Sequence, residues 1–154
     1  MSDNETTPIR IRALDRPVRS GSSYPEDLRP VVQGRSKRIL GDVFGLDQFG
    51  VNMTELLPGA ASALRHWHER EDEFIYVLSG RPVLVTDAGE TQLEPGDCAG
   101  FKAGVPNAHH VVNREDEPAV YLEVGTRAAQ ERCHYPDNAM HGFKEPTGWR
   151  YERD

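Results

Sequence analysis

His66 and His68 stand one residue apart, Glu73 follows five positions later, and the adjacent pair His109 and His110 lies well downstream. Imidazole nitrogens together with a carboxylate oxygen suit Zn, Fe, Mn, Ni or Cu, so the first chemistry this pattern suggests is a divalent metal site. In a β-strand residues i and i+2 face the same way, which would put His66 and His68 on one face and Trp67 on the other. Glu73 has the wrong parity for an unbroken strand, but the polar stretch Glu69 to Asp72 can turn the chain and reset it. In HHVVN the two histidines must point to opposite faces. His109 shares its face with Val111 and Asn113, and we take it as the fourth ligand because an apolar valine then lies beneath it. His110 is the alternative, which a bulge after Pro106-Asn107 would bring in. A lone histidine is ordinarily core or surface. Burying four such groups without a cation would leave polar atoms unpaired at about 1–3 kcal/mol each, and this favours a metal.

Other candidate groups are fewer. Tyr121 and Glu123 share a face of the AVYLEV segment and could point into a cavity mouth; for Glu123 the expectation is solvent. Phe101, Phe49 and Tyr76 could wall a pocket, although aromatics at strand spacing are more often core or interface. His134 and His141 fall in a polar tail and are expected to be solvated or to pack there. No Ser-His-Asp or Cys-His arrangement has a convincing context, and no glycine-rich loop leads into a helix, so no catalytic side chain is assigned.

These groups have to be positioned by short strands. From Arg38 to Val124 the chain runs in short apolar or alternating stretches, among them FGVNMTELL, EFIYVLS, PVLVTD and AVYLEV, separated by turn residues such as Ser79-Gly80 and Pro95-Gly96-Asp97. Helical periodicity is almost absent, which predicts an all-β fold, a closed antiparallel barrel. Residues 1–36 hold four of the eleven prolines and read as an N-terminal arm draped over the body. Residues 37–126 form the barrel. Residues 127–154 are polar and irregular, with one helical turn expected near Ala128–Arg132, and are read as a C-terminal extension packed outside.

At 154 residues the chain is expected to be a single domain. The formal charge of −7 leaves no basic stripe to neutralise phosphates, and no helix-turn-helix pattern is present, so direct nucleic-acid binding is not expected. Cys98 and Cys133 form no CxxC pair and are expected to be reduced thiols. There is no apolar run of membrane-spanning length, and a soluble, cytoplasmic protein is expected.

Two groups of residues carry a family resemblance. Gly59, His66, His68, Glu73 and Gly80 match the first motif of the cupin superfamily, and Gly96, Gly104, His109 and Asn113 match its second. Three positions depart from the pattern: Gly59 and His66 are one residue further apart than usual, Lys102 replaces the second motif's proline, and Asn107-Ala108 look inserted ahead of His109. The segments YPEDLRPVVQGRSKRILGDVFGLDQFGVNMTELLPG and YLEVGTR further resemble small stand-alone bacterial cupins, some labelled by analogy as sugar-phosphate isomerases or transcriptional regulators. The resemblance implies a double-stranded β-helix, or jelly-roll barrel, often a homodimer in which N-terminal strands cross between subunits. It also implies a divalent transition metal (Zn, Fe, Mn or Ni) on His66, His68, Glu73 and His109. Such a site keeps positions open for a small-molecule substrate, giving a metal-dependent isomerase or, with iron and O₂, a dioxygenase; the alternative is a non-catalytic ligand-binding or sensor cupin.

Overall fold

The computed structural model describes residues 6–154, which form strands and four 3-10 helices. Thirteen strands follow in order: β1 (Arg19–Ser20), β2 (Arg35–Ile39), β3 (Phe49–Leu56), β4 (Trp67–His68), β5 (Glu73–Ser79), β6 (Val83–Thr86), β7 (Gly89–Gln92), β8 (Cys98–Phe101), β9 (His110–Val112), β10 (Ala119–Thr126), β11 (Arg132–Tyr135), β12 (Met140–Glu145) and β13 (Gly148–Arg153). They form a six-stranded sheet in the order β1-β2-β3-β10-β5-β8, a three-stranded sheet β7-β6-β9, and a four-stranded sheet β13-β12-β11-β4. Every pairing is antiparallel.

The central sheet shows the physical origin of the fold. Along β5 exposure alternates strictly through Phe74, Ile75, Tyr76 and Val77, the period of two that a sheet buried on one face demands. Ile75, Val77, Leu56 and Tyr121 from three neighbouring strands meet Leu93 and Val111 in the main core. Burying each of the larger of these side chains stabilises the fold by about 1.5–3 kcal/mol. At the end of β5, Gly80 has φ +78°, and a Cβ there would sit 2.6 Å from the Ala119 Cα. Glycine is therefore needed for both the dihedral and the close approach.

Two expectations need correction. The sheets are not closed into one continuous barrel: the six- and three-stranded layers face each other, and the connection near the site runs through isolated bridges, Ala61 to Val112 and His66 to His109. The C-terminal segment is not irregular. β11 to β13 form a regular antiparallel meander that pairs with β4, and no helical turn occupies residues 128–132. Under it lies a second core in which Cys133, Tyr135 and Met140 pack on Tyr24 and Val32 of the arm. The tail and the arm thus stabilise each other, and Cys133 is buried while Cys98 is exposed, both unpaired.

Candidate metal centre

Three elements bring the sequence-selected residues together. β4 carries His68, and its partner β11 places Cys133 opposite it. Trp67 points away and stacks on His134 at 4.0 Å between ring centroids, so His66 and His68 share the inner face as their spacing requires. The 69–72 turn then lets β5 start with Glu73 facing inward. His109 joins through the backbone bridge to His66, with mutual hydrogen bonds of 3.1 and 2.9 Å.

The three histidine side chains converge on the Glu73 carboxylate. Its Oε2 lies 2.5 Å from His109 Nε2 and 3.5 Å from His66 Nε2, and its Oε1 lies 3.1 Å from His68 Nε2. The other ring nitrogens reveal the protonation pattern. His66 Nδ1 donates to the Leu64 carbonyl at 2.7 Å, and His109 Nδ1 donates to the Asn107 carbonyl at 3.3 Å. In neutral imidazole one nitrogen bears the proton and the other a lone pair. With the rings neutral, both Nε2 lone pairs would aim at an anionic carboxylate, an arrangement that repels unless a metal ion, or a second ring proton, lies among them. A divalent metal fits this donor set, with the backbone carbonyls fixing tautomer and ring orientation as outer partners of metal-bound histidines do. The Phe101 ring lies flat against His109, 3.5 Å away and within 3° of parallel, and clamps it further.

His110 takes a different path. Its Nδ1 donates to the Ala63 carbonyl at 2.8 Å, and no contact joins it to Glu73. Val111 and Asn113 are buried along with His109, so the strand keeps regular alternation and no bulge exchanges the faces. The extra residues before His109 are absorbed in the loop. The Asn107 side chain accepts from the Asp87 backbone N–H, and Lys102, at the position of the motif's proline, reaches Asp72 at 3.1 Å.

Electrostatics follow from this crowding. Burial alone would raise the Glu73 pKa, but in metal-free protein hydrogen bonds from the His109, His66 and His68 rings, which donate when Nε2 carries a proton, hold it well below the ordinary carboxylate range. Burial works against charge on His68, yet Cys133 and Glu73 outweigh it and push its pKa up to about 11. For His109 burial wins over Glu73, and its pKa is lowered. His68 Nδ1 is buried without a hydrogen-bond partner, 3.8 Å from Glu131 Oε2.

The centre opens on a cavity of about 370 Å³, and a smaller one of about 220 Å³ reaches it from the side of Trp67 and Phe101. The larger cavity is also lined by Lys37, Asn52, Tyr121 and Glu123. Glu123 does not face open solvent as its charge led us to expect. Lys37 at 2.5 Å and Asn52 at 2.9 Å both donate to its Oε1. Burial raises the Tyr121 pKa far above its ordinary value and keeps the phenol neutral. Of the aromatics considered as pocket walls, Phe101 lines both cavities, whereas Phe49 and Tyr76 are exposed. Glu131 and Cys133 had no sequence signal, because they lie in a segment with no motif.

Comparison with known proteins agrees with this geometry. The cupin domain family model matches residues 52–125. A sugar phosphate isomerase of the cupin superfamily from Silicibacter pomeroyi is 46% identical over 94% of this chain and 92% of its own, with a TM-score of 0.91. A proposed sugar phosphate isomerase from Acidithiobacillus ferrooxidans is 29% identical over 81% of this chain and 79% of its own, with a TM-score of 0.73. The polyketide cyclase RemF from Streptomyces resistomycificus is 26% identical over 76% of this chain and 78% of its own, with a TM-score of 0.61. No curated protein matches the chain. The chain belongs to the cupin superfamily. No helix among the described residues is long and apolar enough to cross a membrane.

Proposed function

We propose that this cupin is a metal-dependent enzyme of isomerase type acting on a small oxygenated metabolite, with His66, His68, Glu73 and His109 holding the ion. The observation that carries the reading is the convergence of three Nε2 atoms on the Glu73 carboxylate while His66 and His109 commit Nδ1 to backbone carbonyls. A divalent ion in this centre would supply Lewis acidity to a carbonyl or hydroxyl oxygen of the substrate. The protein's part is to fix the three imidazoles and the carboxylate in one orientation and to offer a walled cavity beside them. Cavities of this size suit a metabolite of a few carbon atoms with its oxygens directed by a small number of polar groups. Similarity to the Silicibacter isomerase favours isomerisation over oxidation as the chemistry.

The test is incubation of Zn-, Mn- and Fe-loaded protein with aldose and ketose phosphates, keto acids and catechols, with and without oxygen, followed by NMR. Interconversion of isomers that is indifferent to oxygen is expected. Oxygen-dependent consumption would replace the isomerase with a dioxygenase, and tight binding without turnover under every metal would support a sensor.

A further inference from the structure

The wall beside the metal centre carries more unanswered hydrogen-bonding capacity than a structural network needs. β2, β3 and β10 lie side by side, and Lys37, Asn52, Thr54, Tyr121 and Glu123 all project from their inner face. Lys37 and Asn52 spend their bonds on a single oxygen of Glu123, Oε1, and no protein donor reaches Oε2. Among the described residues Asn52 Oδ1 is buried with no partner, and the Tyr121 hydroxyl, which neighbours the Thr54 and Ser62 hydroxyls, makes no well-formed hydrogen bond to either. Tyr121 is 1% exposed, and its ring is otherwise fully packed in the core. An unanswered buried polar atom costs about 1–3 kcal/mol, so Asn52 Oδ1 and the Tyr121 hydroxyl, both on residues that line the cavity, point to a ligand that answers them.

We propose that this wall is a hydroxyl-recognition subsite, and that the metabolite taken by the cavity is polyhydroxylated. Glu123 Oε2 and Asn52 Oδ1 accept from its hydroxyls, and the Tyr121 hydroxyl exchanges a hydrogen bond with a third. Lys37 engages Glu123 Oε1 and leaves Oε2 to the cavity. The assignment rests on the metal-centre reading for where the ligand's other end lies, since His66, His109 and Glu73 line the same cavity. An acyclic chain of vicinal hydroxyls can reach from one to the other.

Two hydroxy acids separate the subsite from the metal. Glycolate and gluconate share the α-hydroxy carboxylate that chelates an ion, and gluconate alone adds a chain of hydroxyls. Calorimetric titration of Mn- or Zn-loaded protein is expected to show gluconate bound about tenfold or more tightly than glycolate. Glu123→Gln places an N–H₂ where an acceptor stood, and Tyr121→Phe removes the hydroxyl alone. Each should abolish most of the preference while leaving glycolate affinity unchanged. Tyr121→Phe should also leave the urea midpoint unchanged or raised, because the lost hydroxyl makes no well-formed hydrogen bond in the protein. Equal binding of the two acids, no binding of either by metal-loaded protein, or variants that keep the preference would overturn the subsite. Metal content is measured on every sample: a preference for gluconate in protein that takes up no metal overturns the metal centre and leaves the wall standing.

Discussion

Replacing His109 or His110 with alanine should have opposite consequences, although the two are adjacent. His109→Ala is expected to lose bound metal by elemental analysis, while His110→Ala, whose ring is tied to Ala63, retains it; the reverse result would move the ligand set onto His110. Glu73 makes a second, pH-dependent prediction. Its folded pKa is depressed, so on acidification the unfolded chain takes up the proton first. The stability it contributes to metal-free protein is full above the ordinary carboxylate pKa and is lost as pH falls through the folded one. Urea unfolding of chelator-treated wild type and Glu73→Gln should therefore differ by a constant amount above about pH 5, draw together as pH falls below the ordinary carboxylate pKa, and converge only below the folded one. A difference that persists undiminished at lower pH would contradict the pairing. His66, His68 and Glu73 were legible in the sequence because strand parity and a polar turn are local properties. Glu123 was not, because the groups that make its burial tolerable, Lys37 and Asn52, lie 86 and 71 residues away along the chain.

At the level of elements, the two-residue strand β4 is too short to hold two ligands by itself. Its outer edge is pinned by β11, and the turn behind it is pinned by Glu131, which is buried and accepts the backbone N–H groups of Arg70 at 3.1 Å and Arg132 at 2.7 Å. Its Oε1 also takes the Glu69 N–H at 3.1 Å. Glu131→Gln substitutes a donor for one acceptor oxygen and should lower unfolding free energy by about 1–3 kcal/mol in urea titration. No measurable loss would show that the turn is held by other contacts. The strands β3, β5 and β10 were readable because Val, Ile, Leu and Tyr alternate with outward residues there. β11 and β12 alternate just as strictly, but their buried positions are Cys133, Tyr135, Met140 and Gly142, and their other face carries His134 and His141. Such a composition gives little hydrophobic contrast, so the segment read as irregular. Its strands form by pairing with β4 and packing on the arm, which are long-range contacts that no local pattern records.

Considered as a whole molecule, the chain leaves the outer face of its largest sheet uncovered: Phe74, Tyr76 and Leu78 of β5 are all exposed. A contiguous apolar sheet face is a usual site of association, and it supports the proposal that the protein is a homodimer. Tyr76→Glu at its centre is expected to shift sedimentation equilibrium toward monomer, and a wild type that sediments as a monomer at every concentration would remove the proposal. Family membership was legible because the two glycine-bounded motifs are specific even with an insertion inside the second, whereas the cavity's polar wall depended on assembling three strands. The central claim is that the four converging side chains hold a metal ion. Protein purified without chelator and analysed for metals by mass spectrometry should carry about one divalent ion per chain, which His66→Ala and Glu73→Gln each release. Folded wild type that carries no ion, and takes up none on dialysis against Zn, Mn, Fe or Ni, would contradict it.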